Sequence, residues 1–379
     1  MNVAILGFGT VGFGVYELAV KCKEINVKYV LDIKIHNDIE ATSVTDINVI
    51  LNDDSVDTVI ELIGGRNPAY SFIKSSLEHG KNVITANKLV ICENYKELTD
   101  LASKNGVALR YTAAVGGGIP WLTNLERFVR ISHIRKIEGI FNGTTNYILD
   151  AMHKNGTKFE TALKKAQELG YAEADPSSDI DGLDTERKIA ISANIAYGID
   201  INTDSIDLFG IGDIKPEAVK DAESLGAVIR LIATAHKTED GISVYVEPTF
   251  VKNGTGFSGI SENFNRIVYE ADNLGYGSFH GYGAGRYPTA FTVINDVLDV
   301  ANGIKKTYNC IAEPTEINNN SEMHEYYVLT NDTDRFDGMI KEKLDSGFIV
   351  NSVSVAEMHR IAKEIKTDGK EIFICGLRR

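Results

Sequence analysis

The sequence predicts an α/β protein: a doubly wound parallel sheet first, then an α+β region, then a small tail of strands and helices. Three observations predict it. Short, nearly continuous apolar runs alternate with helix-periodic stretches over about the first 110 residues, the pattern of a parallel sheet covered on both faces. From about Trp121 the helices lengthen, and strand-like segments follow beyond Gly241. After a polar stretch at 303–323, residues 324–379 alternate strand and helix again. A chain of 379 residues also suits two or three domains.

The elements follow in order. Val3–Leu6 reads as a first strand, Val11–Lys23 as a helix with Val15, Leu18 and Ala19 on one face, and Lys28–Lys34 as a second strand. Thr58–Ile63 is an apolar strand carrying one acid, Glu61. Asn67-Pro68 opens a helix that stops at Gly80. Asn82–Ala86 and Val107–Ala113 are further strands, with a helix over about Glu93–Lys104 between them. Thr157 and Glu160 have capping-box spacing before the stripe Phe159, Leu163, Ala166, Leu169. A helix covers about Asp184–Tyr197, strands Ser243–Val251 and Asn265–Ala271, and a Gly-rich stretch Gly275–Gly285 precedes a helix from Pro288 to Asn302. The run Asn318-Asn319-Asn320 marks a linker. The tail reads strand Glu325–Leu329, helix Phe336–Leu344, strand Phe348–Val355, helix Ala356–Ile365, strand Glu371–Cys375.

Composition narrows the class. The chain is 43% hydrophobic and 24% charged, as folded soluble proteins are. With 39 Lys+Arg against 53 Asp+Glu, a net −14, it is a poor partner for nucleic acid or an anionic membrane, both of which need clustered cations. No apolar run approaches the ~18–20 residues of a membrane span, and Met1-Asn2 runs directly into the first strand with no secretion-signal pattern. Cys22, Cys92, Cys310 and Cys375 form no C-x-x-C pair and read as reduced, mostly buried thiols of a cytoplasmic protein.

Three clusters carry chemistry. Gly7-Phe8-Gly9-Thr10-Val11-Gly12 is a G-x-G-x-x-G between a strand and a helix: Gly7 for the turn, Gly9 for approach of a pyrophosphate, Gly12 for close helix packing. The competing reading is local packing alone. Asp32, 20 residues beyond Gly12, stands where a carboxylate takes the ribose hydroxyls of NAD, although Lys34 and His36 nearby would tolerate the extra phosphate of NADP. The reading leans to NAD and leaves NADP open. The loop from Gly170 to Asp184 holds five acids within twelve residues, and Lys188 lies one helical turn after Asp184. It is either a solvated acidic loop or a site in which Glu173, Asp179 and Asp184 hold a substrate while Lys188 moves the hydroxyl proton that must accompany a hydride. Thr85-Ala86-Asn87-Lys88 ends a parallel strand, which puts Lys88 on the ligand side of the sheet.

The combination resembles the homoserine dehydrogenase family. The stretch Ala166, Gly170, Asp175-Pro176, Asp179-Ile180, Gly182, Asp184, Lys188 carries the likeness, spacing included. GFGTVG (Gly7–Gly12), ELIGG (Glu61–Gly65), TANK (Thr85–Lys88), AVGGGIP (Ala114–Pro120), NGTTNYIL (Asn142–Leu149) and GYGAGRYPTA (Gly281–Ala290) extend it over about residues 1–303 in consistent order.

The resemblance implies a Rossmann-type doubly wound sheet followed by an α+β catalytic and dimerisation domain. The boundaries expected are 1–125, completed by helix 288–303, then 126–287, then 324–379. It implies NAD(P)-dependent interconversion of L-aspartate 4-semialdehyde and L-homoserine, on the route to threonine and methionine, by a cytoplasmic homodimer. Lys188 would be proton donor and acceptor, Asp184 would orient the substrate, Glu173 would bind homoserine, and Asp179 would support the site. Lys88 would sit between nicotinamide and substrate, and Phe8, Thr10, Val11, Ile63, Gly170 and Gly283 would line the cofactor. One departure stands out: family members usually carry glutamate where this chain has Thr112. The carbonyls of Val115, Gly117 and Ile119 would still offer ligands to sodium, but without a charged oxygen. The tail resembles a shortened ACT-type module lacking one strand.

Two enzymatic rivals fail on their requirements. An aldehyde dehydrogenase acting on the same semialdehyde needs a nucleophilic cysteine beside a base, which Cys92 and Cys310 do not offer. A metal hydrolase needs a ligand spacing such as H-E-x-x-H, which is missing. A non-catalytic NAD- and amino-acid-sensing protein is the remaining alternative, and the joint presence of Lys88, Asp184 and Lys188 argues against it.

Overall fold

A computed structural model of the protein describes residues 1–305 and 315–378. The chain divides into two compact units: 1–131 with 194–202 and 282–314, and 132–193 with 203–281 and 315–379. Cys310 and part of the polar stretch 303–323 lie outside the described residues.

The first unit runs β1 (Asn2–Leu6), α1 (Thr10–Ala19), β2 (Asn26–Leu31), β3 (Thr42–Val44), α2 (Ile47–Leu51), β4 (Thr58–Glu61), α3 (Ala69–Glu78), β5 (Asn82–Thr85), α4 (Lys88–Glu93), α5 (Tyr95–Asn105), β6 (Leu109–Arg110) and α6 (Trp121–Phe128). Its sheet has the order β3-β2-β1-β4-β5-β6, all parallel, with the crossover at β1. This is the doubly wound sheet expected. Continuous apolar strands bury both faces: Val3, Ile5, Ile60 and Ile84 pack with Val15, Ala19 and Val293, while Ala4, Leu6 and Val59 pack with Leu31 and Ile50. Val293 belongs to a later helix, Arg286–Ala301 (α12), which returns to this unit. The β3–α2 pair carried no periodic signal because β3 has three residues and α2 five. Val107–Ala113 is shorter than expected as a strand, since the chain turns into a 3-10 segment at Thr112–Ala114.

The second unit contains β7 (Ile134–Ile140), α7 (Gly143–Asn155), α8 (Phe159–Glu168), α9 (Ser177–Ile180), α10 (Leu183–Tyr197, its first part), β8 (Asp207–Leu208), α11 (Pro216–Ser224), β9 (Ala227–Thr238), β10 (Gly241–Lys252), β11 (Phe264–Ala271) and β12 (Gly275–Tyr282). The tail adds β13 (Met323–Thr330), β14 (Ile340–Lys343), β15 (Phe348–Ser354), α13 (Val355–Thr367) and β16 (Ile372–Arg378). These strands form one mixed sheet, β12-β11-β7-β9-β10-β16-β13-β15-β14, with β8 also on β10.

Four local readings change. The Gly-rich stretch, given no element from sequence, begins with a strand, β12, which pairs with β11 at the end of the sheet. The cap before α8 is the backbone of Lys158, and Thr157 makes no capping-box hydrogen bond. The expected helix Phe336–Leu344 is a 3-10 turn followed by β14, because Gly338 at φ +76° breaks the helix and Ile340–Lys343 pairs with β15. The asparagine run is not a linker: buried Asn319 accepts from Val244 N (2.9 Å) and donates to Val244 O (2.9 Å) and Asp207 (2.9 Å).

The tail therefore has four strands, one more than expected. Counted within the tail, its order is fourth-first-third-second, the arrangement of a split β-α-β module whose first helix has shrunk to one turn.

Candidate active site

The glycine loop is built from backbone. Gly7 has φ +91°, and a Cβ there would lie 2.8 Å from Leu62 O. At Gly12 a Cβ would lie 2.0 Å from Gly7 O, so the helix touches the strand end only because no side chain intervenes. Gly9 is different: a Cβ would meet nothing within 4 Å, which leaves the space above the start of α1 open. No side chain caps that helix and its first turn holds no acid, so its leading N–H groups face this space with their dipole uncompensated. These residues fit a dinucleotide pyrophosphate.

Asp32 follows β2 and accepts from Phe8 N (2.9 Å) and Ile33 N (2.6 Å), with His36 Nε2 3.4 Å away. These hydrogen bonds and the neighbouring His36 outweigh burial and hold its carboxyl below the usual range. The carboxylate thus braces the glycine loop and keeps further acceptor capacity. Phe8 is fixed by ring contacts with Phe13, Tyr16 and His36 at centroid distances of 5.5, 5.6 and 4.7 Å. Ile63 and half-buried Lys88 follow the carboxyl ends of β4 and β5.

The turn bearing Val115, Gly117 and Ile119 is buried. Gly117, at φ +52°, lies against Gly283, whose carbonyl carbon and oxygen would each be 2.7 Å from a Cβ. Its own carbonyl accepts from Thr292 Oγ1 (2.7 Å). Thr112 directs both its N–H (3.2 Å) and its hydroxyl (2.7 Å) to Asp296, which Arg110 Nε also holds (2.9 Å). Thr112 is thus occupied as a donor and adds no charged oxygen to the neutral carbonyls of this turn. Among the described residues no group of three His, Cys, Asp or Glu could hold a metal ion.

The second unit supplies a side-chain cluster. Asp184 and Lys188 share one face of α10, and Lys188 Nζ donates to Asp184 Oδ2 (2.6 Å) and to Phe141 O at the end of β7 (2.7 Å). Both residues are about 5% exposed, at 5% and 6%. Asn142 caps α7 through its carbonyl oxygen on Thr145 N (2.8 Å) and donates through Nδ2 to Asp179 (2.7 Å) and Asp184 (2.8 Å). Burial and the nearby Asp184 push the Asp179 carboxyl above its usual range. The loop is pinned where Gly182 (φ +89°) would place a Cβ 2.7 Å from Leu208, and Ile211 N bonds Ile180 O (2.8 Å). Glu173 and Gly170 are exposed and stand outside this cluster; it is the Glu173 carbonyl that takes the Gln167 amide (3.0 Å). Asn142 stood out from sequence only as the head of NGTTNYIL, with no role, and the Phe141 carbonyl was not singled out. An Asn-Gly pair directly after a strand was the available signal for the former, and a backbone oxygen has none.

An enzyme that oxidises alcohols and reduces carbonyls needs a seat for a nicotinamide dinucleotide and a buried group for the proton, and the two units offer one each. The protein is an NAD(P)-dependent oxidoreductase. Which one follows from its relatives. The family model for homoserine dehydrogenase matches residues 120–298, and that for the homoserine dehydrogenase NAD binding domain matches 7–112. The chain is 34% identical to the homoserine dehydrogenase of Lactococcus lactis over 354 residues, covering 88% of this chain and 83% of that one. It is 35% identical to that of Synechocystis, covering 79% and 73%. The crystal structure of a homoserine dehydrogenase from Thiobacillus denitrificans superposes with TM-score 0.88 at 28% identity, covering 100% of this chain and 98% of that one. The chain belongs to the homoserine dehydrogenase family, whose members interconvert L-aspartate 4-semialdehyde and L-homoserine in amino-acid biosynthesis.

Proposed function

We propose that Lys188 is the proton donor and acceptor of this reaction. The observation that carries the assignment is its burial between Asp184 and the Phe141 carbonyl. An ammonium has three N–H groups; two are committed to these oxygens, and the third is the one that would meet the substrate oxygen. Asp184 aims the amine, and Asn142 bridges Asp184 and Asp179 by donating to both. Asp179 supports the site, and Glu173, exposed on the acidic loop, binds the substrate ammonium.

The dinucleotide is held by Gly7, Phe8, Gly9, Thr10, Val11 and Gly12, with Ile63, Lys88, Gly170 and Gly283 lining it. When bound, it supplies the hydride acceptor or donor. Asp32 selects NAD over NADP, since its carboxylate, already ionised and anchored, repels a 2′-phosphate. The carbonyls of Val115, Gly117 and Ile119 would hold a sodium ion without a charged ligand, since Thr112 stands in the place of a glutamate and donates to Asp296. The enzyme works as a cytoplasmic homodimer, residues 1–125 with helix 288–303 acting as the dinucleotide domain, 126–287 as the substrate and dimer domain, and 324–379 as an ACT-like module.

The test follows nicotinamide absorbance with L-homoserine, NAD and NADP in parallel, alongside Lys188→Ala. General acid–base catalysis is worth about 10²–10⁴-fold, so kcat should fall by that factor with little change in KM. A near-normal kcat removes Lys188 from proton transfer.

A further inference from the structure

One fully buried acid in the first unit is not used by any step above. Glu61 ends β4 with none of its surface exposed. Its Oε1 accepts from Ile63 N (2.8 Å) and, more weakly, Gly64 N (3.4 Å). Its Oε2 accepts from the hydroxyl of Thr85 at the end of β5 (2.6 Å), and that hydroxyl oxygen accepts from Asn87 N (2.9 Å). Asn87 then donates to Gly65 O (2.8 Å) and caps α4 by accepting from Val90 N (3.2 Å). Lys88 is the first residue of that helix. One carboxylate thus joins the Ile63–Gly65 loop to the turn that aims Lys88, and Leu62 and Ile63 in turn abut Gly7.

A burial this complete costs a carboxylate several kcal/mol unless its lone pairs are filled. A hydrophobic residue would serve a mere strand end better. The group is kept in its place by donors that all come from two ligand-side loops.

We propose that Glu61 is a positioning residue, which locks the Ile63–Gly65 loop and the Lys88 turn into one unit so that Lys88 keeps its alignment with the reacting groups. This rests on the reading of Lys88 as lying between nicotinamide and substrate.

The two carboxylate oxygens separate the functions. In Glu61→Gln the amide oxygen still accepts from Ile63 and Gly64, while its NH₂ can meet Thr85 only by turning that hydroxyl from donor into acceptor, in competition with Asn87 N. The variant therefore keeps the cofactor loop and weakens the link to the lysine turn. Thr85→Val removes the same link from the other side without changing shape, and Thr85→Ser restores the hydroxyl. Misplacement by about 1 Å costs roughly a hundredfold in rate. We expect Glu61→Gln and Thr85→Val each to lower kcat about 10–100-fold while the dissociation constant for the dinucleotide, read by fluorescence titration, stays within about threefold. Thr85→Ser should recover most of kcat. The double variant should be no worse than the poorer single one, because both cut one link.

A kcat within twofold of wild type in Thr85→Val, or losses that multiply in the double variant, would overturn the proposal. So would Thr85→Ser behaving like Thr85→Val. If Glu61→Gln does not fold, the Thr85 pair decides alone. Lys88→Ala is measured beside them: a normal kcat there sinks the assigned role of Lys88, whereas a low kcat in Lys88→Ala with normal Thr85 variants sinks only the role of Glu61.

Discussion

The glycine loop and the Lys188 cluster do their work with opposite materials. The first is backbone around open space: Gly9 has no neighbour within 4 Å of its missing side chain. The second is side chains with almost no exposed surface, Lys188 and Asp184 joined at 2.6 Å. A phosphate is held by many weak, sequence-independent N–H dipoles, so what matters there is the absence of atoms. A proton is moved by one group at one atom, so the environment of that atom must be complete.

The sharpest way to break the second arrangement, short of removing the lysine, is Asn142→Ala. It strips one donor from each of two neighbouring carboxylates. Asp179 should then be driven further above its usual range, and kcat for homoserine oxidation should drop about a hundredfold. A drop below threefold would show that the cluster tolerates incompleteness. For the glycine loop the test is Gly9→Ala, which meets no atom of the protein. It should leave the melting temperature unchanged and weaken dinucleotide binding about 10–50-fold by occupying the phosphate's space. A lowered melting temperature with intact binding would mean that Gly9 serves the fold. Asp32→Asn is gentler, since an amide oxygen still accepts from Phe8 N. The NAD-to-NADP ratio of kcat/KM should shift towards NADP about three- to tenfold, and no shift would end its role as selector.

The smallest effect contrasts two acids on one helix. Asp184 on α10 is paired with Lys188, but Glu186, 7% exposed, is pushed up to about 7 by burial. A carboxyl whose folded value exceeds its unfolded value binds more protons in the native state, so stability falls as pH rises from about 4.5 to about 7 and then levels. Glu186→Gln should therefore be more stable than wild type at pH 8 by on the order of 1–2 kcal/mol, a gap that closes by about pH 4.5. Denaturation at the two pH values reads it directly, and a gap independent of pH would contradict the cause given.

Sequence made the first unit legible because its information is local. A strand, three glycines and a helix occupy consecutive positions, and β1, β2, β4 and β5 follow as recognisable strands, while β3 went unread. Spacing on α10 also exposed the Asp184–Lys188 face. What stayed hidden depends on contacts distant in sequence. Phe141 and Asn142 meet Lys188 and Asp184 from some forty residues away, 47 and 42 respectively. Glu61 looked like a blemish in an apolar strand because its donors are two backbone N–H groups of the loop it leads into and the Thr85 hydroxyl, 24 residues away. In the tail, Phe336–Leu344 had helical composition, and pairing with β15 overrode it.

That tail has a consequence for the strand it joins. β10 pairs with β9 along one side, and its other side is shared by β8 at Tyr245–Val246 and β16 at Thr249–Val251. Deleting residues 315–379 would leave the end of β10 as a bare row of amide and carbonyl groups on a long apolar strand, an invitation to pair with other chains. Whatever else the tail does, it is the selvedge of the cloth: the last strands are woven into the catalytic sheet, and trimming them would let the fabric fray into aggregates.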